Sequence, residues 1–191
     1  MLNGLRAKIT YCMIASGVLF ILFICSLWLY RGYFMGEPEY GYVLGFVTII
    51  QVPFFLVLFF GFWLVGLYYG NRILRYSMIA FMFYYPVLLS LDGVGLWGMY
   101  ATLWYVRLLT YLVVFEGLLS LIWSVGVLGL REHIGWAAVL LGLGLFIRGL
   151  CNIAILLDSV GFLINLIGFF LNILVWPATL FFLYRVIADL R

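Results

Sequence analysis

The sequence predicts an all-α, polytopic membrane protein, and three observations predict it. Of the 191 residues, 68% are hydrophobic and only 9% charged, where a soluble domain carries about 25% charged residues. Mean hydropathy is +1.26. The apolar residues fall into six runs, at about 9–30, 42–69, 73–91, 106–130, 134–157 and 161–186, each close to or above the roughly 20 residues that carry a helix across a bilayer. So few polar groups cannot cover a water-facing surface, which excludes a soluble fold. The breaks between the runs, RGYFMGEPEYG, GNR, DG, REH and DS, are short. Residues 1–191 therefore read as a single transmembrane helical domain.

The first run begins like a signal peptide, with Arg6 and Lys8 ahead of it. It continues from Ile9 to about Tyr30, beyond the 7–15 residues or so of a cleaved apolar region, and no A-x-A-like site follows. It is expected to be an uncleaved span. The second run carries Gln51 beside Pro53, and the third carries Pro86; proline is tolerated in membrane helices. The stretch from Gly93 to Leu130 would reach about 57 Å as one helix, too long for one crossing. GVGLWGMYATLWY, residues 93–105, is therefore expected to lie at the interface or re-enter the membrane before the fourth span. The fourth and fifth spans form a hairpin about REH, and the sixth contains Pro177.

Orientation follows from the charges. Positively charged loops stay cytoplasmic. With the N-terminus inside, Arg6, Lys8, Arg72, Arg75, Arg131, Arg185 and Arg191 are cytoplasmic, and only Arg31 and Arg107 lie outside. Both termini are then expected in the cytoplasm, in a multi-pass protein of the cell's inner or plasma membrane, although an organellar membrane fits the same pattern. Trp28, Tyr30, Tyr33, Tyr42, Trp97 and Trp104 gather near one interface, and Tyr68, Tyr69, Tyr76, Trp136 and Tyr184 near the other. That is an aromatic belt, which anchors helices at the lipid headgroups.

Two full charges stand inside apolar runs: Glu116 in VVFEGLLSL and Arg148 in LFIRGLCNI. A lone charge near the helix centre costs about 2.5–3.5 kcal/mol on insertion scales, so such charges pair or face water. Glu116 lies sixteen residues before Glu132 at the hairpin turn, and Arg148 sixteen after it. Both are then roughly 24 Å from the turn. The same mirror sets Arg107 against Asp158 near the outer surface. An intramembrane pair Glu116–Arg148 and an interfacial pair Arg107–Asp158 are expected.

A polar seam accompanies them. Glu116, Ser120 and Ser124 share one face of the fourth span, and Gly144, Arg148, Cys151 and Asn152 share one of the fifth. Asn165 and Asn172 fall on one stripe of the sixth span with Gly161 and Gly168, and Gln51 can join from the second. Small and amide residues let membrane helices approach and hydrogen-bond. The bland reading is helix glue; the sharper one is a ligand or ion path through the second, fourth, fifth and sixth spans.

Catalytic signals are missing. A heme or metal site needs several ligands together, and the single histidine, His133, sits in a turn. No phosphate-cradling glycine motif occurs, and Cys12, Cys25 and Cys151 form no CxxC. The cofactor is unknown; a bound lipid, quinone or pigment among the aromatics would leave no readable motif. No basic run suits nucleic acid. The expected partners are the lipid bilayer and other membrane protein subunits.

FEGLLSLIWSVGVLGLR resembles the E-x-x-S…R pattern of the stator a subunit of rotary ATP synthases, and RGLCN, Arg148 to Asn152, is similar to that family's R-x-x-x-N. The resemblance implies a proton path. The two halves fall on different arginines here, the serine is shifted by one, and Pro177 stands where the terminal helix would carry a glutamine. The chain is not placed in that family. Its length and six spans also look like the substrate-binding components of energy-coupling vitamin transporters, without their small-residue coupling motif in the first span. The sequence thus points first to a noncatalytic subunit of a larger membrane complex, with Glu116–Arg148 fixing the hairpin. The second reading is a small transporter or channel-like protein using the seam, and the third a membrane-embedded enzyme acting on a lipid-like substrate.

Overall fold

Every backbone N–H and C=O inside a bilayer needs a partner within the protein, and a helix supplies one for each. A computed structural model describes residues 2–34, 38–96, 103–155 and 161–190; for residues 30, 32–34, 38, 96, 103, 161–169 and 172 only the backbone is described. The described residues are helical apart from short turns. The helices are α1 (Leu2–Phe34), α2 (Pro38–Tyr68), α3 (Arg72–Leu96), α4 (Leu103–Leu128), α5 (Arg131–Ile134), α6 (Trp136–Ala154) and α7 (Gly161–Asp189). Five of them, α1 to α4 and α6, are long and apolar enough to cross a membrane. The chain is an α-helical membrane protein.

The six long helices form a closed ring. Each packs on its neighbour in sequence, and α7 returns to pack on α1. Successive helices run antiparallel, so the start of α1, the α2–α3 turn, the α4–α6 connection and the end of α7 share one end of the bundle. Arg6, Lys8, Arg72, Arg75, Arg131 and Arg185 all belong to that end, called the basic end below. At the α2–α3 turn Asn71 caps α3: its Oδ1 accepts the Leu74 N–H at 2.9 Å while its Nδ2 donates to the Gly126 carbonyl of α4 at 2.7 Å. One side chain thereby starts a helix and ties it to its neighbour. REH, expected as a turn, is the one-turn helix α5, and Gly135, at φ 68°, redirects the chain into α6.

The expectation for 93–105 needs correction at both ends. Gly93–Leu96 continue α3, and Leu103–Tyr105 begin α4; residues 97–102 lie outside the described residues. The DG pair at Asp92–Gly93 does not stop α3, because each residue costs a helix only about 1 kcal/mol or less relative to alanine. Gly93 is also a contact point: a Cβ there would sit 2.9 Å from the Gly45 carbonyl oxygen of α2. Close approach outweighs the weak helix propensity.

The core fills the ring between its middle and the basic end. Phe55, Phe59 and Phe62 of α2, Phe81 of α3, Trp123 of α4 and Phe182 of α7 are all buried. Their rings meet in a chain, with Phe59–Phe81 at 5.1 Å, Phe62–Trp123 at 5.0 Å and Phe62–Phe182 at 5.4 Å between centroids. Such pairs add about 0.5–1.5 kcal/mol each beyond the area they bury. Toward the other end the described core thins to a small cluster around Leu29 and Leu44. Trp28 and Tyr42 near that far end, and Tyr68, Tyr76, Trp136 and Tyr184 near the basic end, are exposed.

Candidate functional site

Where the aromatic core stops, three polar side chains meet. Arg148 of α6 places Nη2 2.5 Å from Glu116 Oε1 of α4. Tyr85 of α3 donates its hydroxyl to the same carboxylate oxygen at 2.6 Å, and accepts from Arg148 Nη2 at 3.0 Å. The three bonds close a triangle. Each hydrogen bond to a charged group is stronger than a neutral one, and both charges are largely withdrawn from the surface, the Glu116 side chain being 7% and that of Arg148 18% exposed.

The backbone brings the pair together. Gly117 and Gly149, each next to a charged residue, face one another where α4 crosses α6. A Cβ on Gly117 would lie 2.7 Å from the Gly149 carbonyl oxygen, and one on Gly149 2.8 Å from that of Gly117. No other residue fits so close a crossing without displacement. One seam residue reinforces it: the Ser124 hydroxyl donates to the Gly142 carbonyl across the same interface at 2.8 Å. Ser120 is also buried, and Asn152 is half-buried beside Gly117. Helix glue describes Ser124 well.

Above the triad opens a cavity of about 170 Å³ lined by Glu116, Arg148, Tyr85, Gln51, Phe23, Phe55, Leu88, Leu89 and Trp176. All six long helices contribute to it. Gln51 reaches it from α2 and donates weakly to Ser26 Oγ of α1 at 3.4 Å. The Arg148 Nε is buried without a partner among the described residues. At about 30 Å³ per water the space holds roughly five waters, and it falls short of the ~300 Å³ at which pockets for drug-sized ligands begin.

The other expected site residues fare differently. Arg107 is exposed on α4, and Asp158, its expected partner, lies outside the described residues. Asn165 and Asn172 fall on α7, but their side chains are not described. His133 is exposed, its ring 5.0 Å from that of Tyr69. Tyr69, just past α2, donates to Asp189 Oδ2 at 2.5 Å, and burial first, then this carboxylate, pushes its hydroxyl pKa above the ordinary tyrosine value. Among the described residues no three His, Cys, Asp or Glu side chains group to hold a metal ion.

Tyr85 was missed by sequence reasoning. Mirror-matching a hairpin finds partners only within that hairpin, and Tyr85 comes from the helix next door. The available signal was the doublet Tyr84–Tyr85 deep within a span, away from the headgroup level where membrane tyrosines gather. Tyr84 donates to the Leu112 carbonyl of α4, so the doublet joins α3 to α4 twice. Searches against protein-family models, curated proteins and solved structures return no match for this chain.

Proposed function

We propose that this chain crosses the bilayer six times, with α7 as the sixth span and both termini cytoplasmic, and serves as a noncatalytic subunit of a larger membrane protein complex. The observation that carries this reading is the closed triad. The two intramembrane charges answer each other and Tyr85 within one glycine-locked crossing, as expected of a part that fixes helix geometry rather than one that turns over substrate. Apolar side chains such as Tyr11, Phe83, Tyr111 and Leu174 are exposed around the ring and offer surface to lipid or to neighbouring subunits. Purification in mild detergent followed by native mass measurement tests it. A stoichiometric companion beyond the 21.9 kDa chain is expected; a monodisperse monomer sinks the reading.

A second reading rests on the cavity. Room for water beside the deep carboxylate supports a small transporter or proton-path role, with Glu116 as the protonatable group. The aromatic core between triad and basic end closes the route in this conformation, so transport would require those rings to part. Proton flux into proteoliposomes that disappears in Glu116→Gln, with folding intact, is the expected result under this reading; equal flux in both proteins removes it.

A further inference from the structure

α1 and α2 touch at Cys12, whose thiol donates to the Val57 carbonyl at 3.2 Å, and at Gly61, where no Cβ has room beside Cys12. From that crossing toward the basic end the helices part. The gap is a groove of about 520 Å³ lined by Leu2, Gly4, Leu5, Lys8, Leu64, Leu67 and Tyr68. It is apolar apart from one ammonium and one phenol, and its size suits an organic ligand. α1 carries no acidic residue, and the sole acid of α2, Glu39, stands at the opposite end. Neither wall therefore neutralises Lys8.

Depth identifies the occupant. The apolar stretch of α1 that suits a span reaches back to Leu2; Lys8 lies within it, and its stem leans toward the helix N-terminus and carries the ammonium to the headgroup level. A ligand there meets apolar walls below and a cation at phosphate height. We propose that the groove is a binding site for one anionic phospholipid, its phosphate held by Lys8 with Tyr68 alongside and its upper acyl chains laid over Leu5, Leu64 and Leu67. The site is independent of the triad and of either functional reading.

The test is native mass spectrometry of the full-length protein in detergent with phosphatidylglycerol or phosphatidylcholine added in equal amounts. One basic residue near a membrane surface favours an anionic lipid by about fivefold, so retention of phosphatidylglycerol over phosphatidylcholine by about that factor is expected, falling to near parity in Lys8→Gln. Gly4 has open space around it, so Gly4→Phe fills the groove without removing charge, and is expected to abolish retention of the tightly held lipid. Inorganic phosphate in excess leaves the bound lipid in place if the acyl contacts matter. Equal retention of the two lipids by the unaltered protein, unchanged preference in Lys8→Gln, undiminished binding in Gly4→Phe or displacement by phosphate alone each overturns the proposal.

Discussion

The two halves of the ring, divided at the level of Glu116, are built from the same helices and held in different ways. On the basic side, large rings and branched chains interlock: Trp123 lies within 6 Å, centroid to centroid, of Phe59, Phe62 and Phe81. On the far side the described helices meet through small residues and single polar contacts, such as Gly93 against the Gly45 carbonyl and Gln51 against Ser26. Lipid is as apolar as leucine, so burial alone does not drive membrane helices together. Dense, shape-matched packing does, and among the described residues it is concentrated on one side. The lesson is that the interior of the ring is filled by interlocked rings on the basic side and opens into a cavity beyond them, and that the charged triad sits at the boundary.

Several variants break or sharpen that contrast. Phe59→Ala removes a ring from the packed half and should cost about 3–5 kcal/mol, read as thermal stability in detergent. Leu44→Ala in the far half should cost about 2 kcal/mol, the lower end for a buried leucine; equal losses would erase the distinction. At the boundary, Glu116→Gln leaves Arg148 unanswered and should cost about 3 kcal/mol. A Glu116→Gln/Arg148→Gln cycle should return a coupling of at least about 1 kcal/mol, and a value near zero would detach the pair from stability altogether. Gly117→Ala forces α4 off α6 and should cost about 1–3 kcal/mol, with a smaller loss if the crossing can slide. Gln51→Leu, in the wall of the cavity, should stay within about 0.6 kcal/mol, the average for a hydrogen bond between membrane helices.

Much of the architecture was legible in the residues. The hydropathy runs located the long helices because a spanning helix must be apolar over its whole length, and the REH turn set Glu116 and Arg148 at one height because rise per residue is fixed. Ends were less legible. α1 and α2 extend past their apolar runs to Leu2–Phe34 and Pro38–Tyr68, since a helix does not stop where the hydrocarbon does. α3 runs through Asp92–Gly93, a pair that hydropathy alone treats as a break. At the site, Gln51 was drawn in from its depth, whereas Tyr85 was hidden because ring order, which sets α3 against α4, is a property of tertiary packing and not of any one segment. The groove beside Lys8 was hidden for the same reason: divergence of two helices leaves no mark in composition.

The order of the ring also dictates an order of synthesis. Except at one seam, each long helix packs on the one made just before it, so a nascent chain leaving the ribosome can assemble by adding each new helix to the growing arc. The α1–α7 seam alone joins the earliest helix to the latest. Without α7 the arc is open between α6 and α1, and the cavity beside Arg148 and Glu116 lacks the wall that Trp176 supplies. Closing the last seam is therefore the event that shuts them in.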